Sequence, residues 1–542
     1  MATVSGTSGQ GDAEPTPKTR YFRLPRRRRR WPWVLGYTIW ALVGIVVAVA
    51  WGVDRAAQHL LDEISPNTPT VIAARKALDK ATGPDTTFVI LGSDNRSWIP
   101  GSENLSDSII LVHLDPPQNL ISIMSVPRDL AVTIPGYSGT QKINAAYSLG
   151  GPELTIRTIR QELGIPINHY VDVGFQGFFT IVQHLGGLDT QVDRRYYNAA
   201  GDGYSPIDLQ PGYQLLNGNQ ALEFARFRHT DTDIVRAARQ QQIIIDLKRQ
   251  ASEKLGISDV PLLLSAVAGS IQTDVHSVST LASIGEFLLQ IPHGRIYHTT
   301  LQVSFSTVPG QPSYDLASPQ QIATSVHDFL DPLATQTTKP LPASITITTH
   351  TAHAKTTTSA KAAKAAAAAA ALAAANKIPA GLVLDTVPAA ALKGLGGGLG
   401  LPLLVPSLRN ANSILDPVES VRAYRITGGP PGGWPSVVEV FQNSNQAGSY
   451  YDVQETRMPV PPVMQAPTSV IKQGHRTYDL FQDGSVLRYV GFFQTHTWYW
   501  ISNTFDGALT NAQMVGIAAS LQPASQAVHA PTGVGLLTRR VR

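Results

Sequence analysis

From Thr86 onward, apolar and polar positions alternate in short blocks, and each block predicts an element. Phe88–Leu91, Ile109–Leu114 and Leu120–Val126 are brief runs of Ile, Val, Leu and Phe, the composition of buried strands. Pro116-Pro117-Gln118-Asn119 between the last two predicts a hairpin turn. Leu154–Leu163 carries helical spacing and ends at Gly164. Tyr170–Val173 reads as a strand, Phe175–Leu185 as a helix stopped by Gly186-Gly187, and Asp189–Val192 as a strand. Helical patterns follow at Asn217–Phe227, Asp233–Arg249, Pro261–Ser270, Ser279–Gln290 and Pro319–Leu330. Strands interleaved with helices predict an α/β class, layered α/β/α, over residues 86–331.

The same pattern changes character on both sides. Residues 1–30 are a polar tail ending in the five arginines Arg26–Arg30. Trp31–Val53 contains no charge. As a helix it would span about 34 Å, enough to cross a bilayer. Trp31, Trp33 and Trp51 sit near its ends, where interfacial aromatics belong. The expectation is a signal-anchor transmembrane helix with a cytoplasmic N-terminus and everything after Val53 outside. A cleaved signal peptide is the rival, since Ala48-Val49-Ala50 has small-x-small form, but the apolar run is longer than a usual signal core. Residues 54–85 read as a juxtamembrane stalk. Residues 332–415 collapse into Thr, Ala, Gly and Pro, which predicts a linker. A separate small α+β domain is expected over 416–523, with a hairpin turn at Asp483-Gly484 and a closing helix at Asn511–Leu521, before a flexible tail at 524–542. In it, Trp498, Tyr499 and Trp500 suit a strand core better than a sugar platform.

Composition narrows the chemistry. The chain has 542 residues and no cysteine. The length asks for more than one core, and the missing thiols exclude disulfides, thiol nucleophiles and Cys-ligated metals. The formal net charge of +4 gives no chain-wide affinity for nucleic acid.

Local charge is more informative. Glu223–Gln242 reads EFARFRHTDTDIVRAARQQQ. On a helix, Asp233, Arg236 and Gln240 share one stripe with Ala237, Ile244 and Leu247. Arginines on an inward face need anionic partners, and Arg226, Arg228, Arg236 and Arg239 outnumber Asp231 and Asp233. A bound phosphate would supply the balance; a salt-bridged surface helix is the alternative. Further candidates stand at strand ends, where open α/β sheets place ligands. Asp94 and Arg96 follow the first strand, Asp107 opens the second, Arg128 and Asp129 end the third, and Lys142 follows a Gly-containing loop. Asp94 and Asp107 are oxygen donors suited to Mg²⁺ or Mn²⁺; an Asx-turn and a strand cap are the plainer readings. Together the set suits a pyrophosphate bound with one divalent cation.

The segments FVILGSDNRS, SDSIILVHLD, ISIMSVPRDLAVTIPG, KINAAYSLGG, FFTIVQHLGGLD, LNGNQALEFARFRHTDTD and RAARQQQIII resemble the LytR-CpsA-Psr family in order and spacing, across roughly Thr86–Arg249. The resemblance implies an α/β/α sandwich that holds a polyprenyl pyrophosphate lipid in a hydrophobic tunnel. It implies transfer of a glycopolymer from that carrier to peptidoglycan through a phosphodiester, with Mg²⁺, by a single-pass protein of the bacterial plasma membrane whose catalytic domain is extracellular. It assigns Asp94 and Asp107 to the metal, and Arg96, Arg128, Arg226, Arg228, Arg236 and Gln240 to the pyrophosphate. Arg239 matches the Arg of the family's RQ pair and Lys142 its KIN position. Asp129 and Asp233 are candidate general bases or arginine organisers. Phe175, Phe178, Phe179, Ile181 and Val182 are candidate tunnel lining, with a packed core as the alternative. A hydrolase acting on the same pyrophosphate, or a non-catalytic binder of polyprenyl lipid or wall glycan, stays open.

Overall fold

The structure is a computed structural model, and it describes residues 55, 58–59, 61–93, 106–199, 206–227, 231–256, 259, 266, 270–306, 313–335, 378–384, 399–417, 420–444, 448–473, 475–504 and 507–524. The expected anchor at 31–53, nearly all of the expected helix at 261–270 and both tails lie outside those residues. Among the described residues no helix is long and apolar enough to cross a membrane.

The first domain is built on a mixed sheet of six strands. They are β1 (Thr86–Ser93), β2 (Ser106–Asp115), β3 (Leu120–Val126), β4 (His169–Gly174), β9 (Ile271–Thr273) and β10 (Ile296–Thr300), in the order β9-β4-β1-β2-β3-β10. β1, β2 and β3 are antiparallel neighbours. β4 joins β1 and β10 joins β3 in parallel, so each needs a crossover. Because side chains alternate along a strand, the sheet has two apolar faces. Val89, Leu91, Ile109, Leu111, Met124 and Val126 face one core. That core is closed by α1 (Pro69–Ala77), α2 (Ala145–Leu163) and α7 (Pro319–Leu330). Phe88, Ile110, Leu114, Ile121 and Ile123 face the other, beneath α5 (Asp233–Lys254) and α6 (Val278–Gln290). This is the α/β/α layering expected from the pattern.

Smaller elements surround α5. They are α3 (Phe175–His184), β5 (Leu188–Val192), the hairpin of β6 (Tyr196–Asn198) and β7 (Ile207–Leu209), β8 (Gly212–Leu216) and α4 (Gly218–Arg226). A short hairpin of β11 (Ser304–Ser306) and β12 (Tyr314–Leu316) precedes α7.

The domain limits differ from the sequence expectation at three places. The stalk contains α1, capped by the Thr68 side chain and started by Pro69. Its Ala74 and Ala77 are part of the first core. The linker contains β13 (Leu382–Leu384), β14 (Leu404–Pro406), β15 (Leu408–Asn410) and β16 (Ser413–Leu415). Leu382, Leu404 and Leu408 are buried in the second domain's core. Strands of three residues in a Gly- and Pro-rich background carry too few apolar positions to show a period. The third difference is that the second domain is docked on the first rather than separate from it.

The second domain is an antiparallel sheet of eight strands with one helix. β17 (Val421–Ile426), β18 (Trp434–Asn443), β19 (Tyr450–Thr456), β20 (Ser469–Gln473), β21 (Arg476–Asp483), β22 (Val486–Gln494) and β23 (Thr497–Asn503) complete it with β16, and α8 (Asn511–Ala519) packs behind, followed by β24 (Leu521–Pro523). Tyr499 and Trp500 are core residues. His496 sits in the β22–β23 turn with φ +57°, not on the sheet face.

This domain is docked on the first. Tyr213 of β8 is fully buried in a cluster with Tyr424, Val438, Tyr489 and Trp500. Its backbone N–H donates to Gln454 at 3.3 Å and its carbonyl accepts from the Tyr424 hydroxyl at 3.2 Å. Gln191 donates to the buried Asp452 carboxylate at 3.0 Å, and Ser502 donates to the same group. Gly212 has φ +116°, and a Cβ there would lie 2.7 Å from the Tyr424 ring, so only glycine fits.

Burial pushes the Asp452 carboxyl up to about 8. An acid raised on folding contributes stability below the unfolded value near 3.8 and loses it as pH rises toward 8. Asp452→Asn keeps the hydrogen-bonding shape without the charge. It is expected to raise the thermal midpoint at pH 8 by several degrees and to leave it unchanged at pH 4; melting curves at the two pH values check this.

Candidate functional site

Three chain segments meet at the C-terminal edge of β3. The turn Pro127-Arg128-Asp129 leaves β3 and is clasped by the segment at 141–144. Ile143 N–H donates to the Leu130 carbonyl at 2.9 Å, and Asn144 N–H to the Arg128 carbonyl at 3.2 Å. Lys142 pairs with Ala131 in a two-residue ladder. That backbone clasp brings the Lys142 ammonium to 3.1 Å from Asp129. The third segment is the start of α5, where the Thr232 side chain caps the helix and Asp233 occupies the first turn. Asp233 and Arg236 pair at 3.3 Å, one turn apart.

Arg128 joins these segments. Its guanidinium pairs with Asp107 at the start of β2 and lies 3.7 Å from both Asp129 and Asp233. The side chain is 14% exposed, so the charges interact in a partly desolvated setting where attraction is stronger than in water. Asp107, Asp129, Arg128, Lys142, Asp233 and Arg236, chosen from separate motifs in the sequence, thus converge. Asp94, Arg96 and Arg228 lie outside the described residues.

One member of the cluster was not legible in the sequence. Asp315 of β12 is 4% exposed, and its Oδ2 has no hydrogen-bond partner. Its backbone N–H donates to the Asp129 carbonyl at 3.0 Å, which ties β12 to the turn after β3. Burial, then the charges of Asp233 and Asp129, push its carboxyl up to about 6, against opposing pulls from Lys142 and Arg236. Nothing in the local run Ser313-Tyr314-Asp315-Leu316 sets it apart; only the hairpin's return to Leu130 brings it here.

The other predicted anion-binding residues take different positions. The Arg226 guanidinium lies over the Phe175 ring, 4.3 Å from its centroid. Gln240 donates to the Ala225 carbonyl at 3.2 Å and so pins the end of α4 to α5. Arg239 is 4% exposed. It donates to the Asp231 carboxylate and to the Phe227 carbonyl, and it is stacked against Tyr196 at 4.6 Å. Arg194, also missed in the sequence, grips the other oxygen of Asp231. The described contacts of Arg239 therefore serve the chain around 227–231 rather than the Arg128 cluster. Asp231 and Asp233 act as arginine organisers here, each on its own pair.

The helix itself is buried on more than one side. Gln241 donates to Ser125 at 2.8 Å, and Gln242 to the Gln191 carbonyl at 2.8 Å. These amides replace the surface helix that a charge run would suggest. A side-chain pair also ties α2 to β4. Tyr147 donates to Asp172, whose carboxyl burial raises.

Among the described residues no group of three or more His, Asp or Glu converges to hold a metal ion. Asp107 offers one carboxylate oxygen to Arg128 and keeps a second, and its side chain is 30% exposed. It is an oxygen donor of the type Mg²⁺ takes.

The LytR_cpsA_psr family model matches residues 53–327. The chain belongs to the LytR-CpsA-Psr family. The family match stops before the second domain. Within it, the chain is 34% identical over 192 residues to the regulatory protein MsrR of Staphylococcus aureus (strain COL), covering 35% of this chain and 56% of MsrR. It is 29% identical over 254 residues to the polyisoprenyl-teichoic acid–peptidoglycan teichoic acid transferase TagU of Bacillus mycoides (strain KBAB4), covering 45% of this chain and 78% of TagU. The chain thus spans little more than half the length of MsrR. Among solved structures, it is similar to B. subtilis TagV, with 26% identity, a TM-score of 0.41, and coverage of 46% of this chain and 97% of that one.

Two outcomes test the family site's electrostatics. The Asp231 side chain is fully buried between two guanidiniums, so Asp231→Ala removes the carboxylate that both share and is expected to cost about 3–5 kcal/mol in denaturant unfolding. Ionised Asp315 adds a negative charge, so affinity for an anion is expected to fall as pH rises through about 6. Titration with a diphosphate diester, whose own charge is constant over that range, should show the fall, and Asp315→Asn should remove it.

Proposed function

We propose that the chain is a membrane-anchored phosphotransferase that moves a glycopolymer from a polyprenyl pyrophosphate carrier to peptidoglycan through a phosphodiester link. The observation that carries this reading is the meeting of Arg128, Lys142 and Arg236 with Asp107, Asp129 and Asp233 beside an apolar layer that is only partly buried. Ile90, Val112, Val171, Ile244, Ile284, Phe287 and Leu288 lie between sheet and helices and are only partly buried. Phe175, Phe178, Phe179 and Ile181 of α3 are likewise half-buried, while Val182 is core. Apolar residues left half-open beside cations suit a long lipid with an anionic head. The names of relatives such as TagU point the same way.

In this reading the pyrophosphate displaces Asp107 as the chief partner of Arg128 and Asp233 as that of Arg236. Arg128 and Arg236 each present paired N–H donors to phosphate oxygens. Their task is to neutralise charge that grows on the equatorial and leaving oxygens as a peptidoglycan hydroxyl attacks phosphorus and polyprenyl phosphate departs. Asp107, with Asp94, would hold Mg²⁺, which supplies further neutralisation of that charge when bound. Asp129 is held by Lys142 and Asp233 by Arg236, so both carboxylates are already engaged with cations. They serve better as organisers of cations than as general bases. The anchor at 31–53 would hold the domain on the outer face of the plasma membrane, within reach of a lipid-borne substrate.

Hydrolysis of the same bond uses the same atoms, so the acceptor is what separates the two activities. The extracellular part, incubated with labelled lipid-linked glycan, Mg²⁺ and peptidoglycan, is expected to move label to peptidoglycan. Release to water alone would make it a hydrolase, and retained lipid without turnover would make it a binder. Arg128→Ala and Arg236→Ala are each expected to lower turnover at least about tenfold. Near-normal rates in both folded variants would remove the mechanism.

A further inference from the structure

The outward side of the β6–β7 hairpin carries chemistry that the phosphate site does not use. The register pairs Tyr196 with Leu209, Tyr197 with Asp208 and Asn198 with Ile207. Alternation buries Tyr196 and Leu209 and turns Tyr197 and Asp208 outward. Tyr197 is 51% exposed. It is not loose: the Arg195 guanidinium sits over its ring, 4.8 Å from the centroid. Arg195 in turn forks onto Asp208 at 2.9 and 3.0 Å, so its charge is already matched. A backed aromatic ring is a rigid platform.

A cavity of about 380 Å³ opens beside this platform, lined by Tyr197, Asn198, Asp208, Gln220 and Glu223 with apolar neighbours. That volume falls in the usual range of small-ligand sites, about 300–1,000 Å³. No Lys or Arg lines it among the described residues, so it does not suit a phosphate. Carboxylates and amides accept and donate hydrogen bonds to hydroxyl groups, and an aromatic ring packs on an apolar ring face. That combination fits a neutral polyhydroxylated ring.

Gln220 and Glu223 are neighbours one turn apart on α4, so this helix presents two polar side chains to the cavity.

We propose that this cavity is a sugar subsite, taking a neutral hydroxylated ring of the glycan, with Tyr197 as platform and Asp208, Gln220 and Glu223 as hydroxyl partners. It rests on the reading of the chain as a glycopolymer transferase. The ring belongs either to the carried glycopolymer or to peptidoglycan. Tyr197→Ala, Tyr197→Trp and Glu223→Gln would be made in the full chain. KM for lipid-linked donor and for peptidoglycan would be measured separately, alongside calorimetric titration of lipid-free donor oligosaccharide and of a peptidoglycan fragment. Tyr197→Ala is expected to raise KM and Kd at least tenfold for one of the two, with most of the loss in KM rather than kcat. Tyr197→Trp should retain binding and Glu223→Gln should weaken it. The substrate whose constants move identifies the source. Unchanged constants for both substrates in Tyr197→Ala would overturn the subsite. If the wild type transfers nothing, the titrations still decide: glycan binding lost in Tyr197→Ala supports the subsite while the transferase reading fails, and no glycan binding overturns it.

Discussion

Arg128 is the constraint on which the rest of the site depends. One guanidinium is held by carboxylates from the start of β2, the turn after β3 and the start of α5. The first two belong to the sheet and the third to the helix layer above it, so sheet and helix must pack before the cluster exists. Like charges crowd only on the acidic side, where the Asp315 carboxyl is pushed up by burial and by Asp233 and Asp129.

A second arginine pair plays a structural counterpart. Arg194 and Arg239 share Asp231 and are packed among Tyr196, Phe224 and Phe227. Arg194 also lies against Tyr450 of the second domain, 5.6 Å from the ring centroid. Gly448, with φ +83°, comes so close to Val235 that a Cβ would lie 2.5 Å from it. The second domain therefore braces the first turns of α5, the helix that carries Arg236. Its docking is part of how the site is held, although the family match ends before it.

Much of the fold was legible. The apolar runs at 88–91, 109–114 and 120–126 became the three central strands, because buried strands need continuous apolar residues on both faces. The motifs around Asp107, Arg128, Lys142 and Asp233 each ended at an element boundary, and that common position is why their convergence could be anticipated. Arg239 was assigned from the family's RQ pair, and only its aromatic surroundings show what its guanidinium touches. Asp315 and Arg194 gave no local signal, since their partners are remote in the chain.

The sequence by itself determined the layered class, the residue types of the charged cluster and the order of the strands along the chain. Periodicity and strand-end chemistry are local properties, and a single chain carries them openly. The tertiary structure alone decided which carboxylate faces which arginine, that Asp315 joins them, that α1 and the strands at 382–415 belong to folded cores, and that the second domain is docked. Those depend on long-range packing, where a tyrosine such as Tyr213 finds its partners more than two hundred residues away.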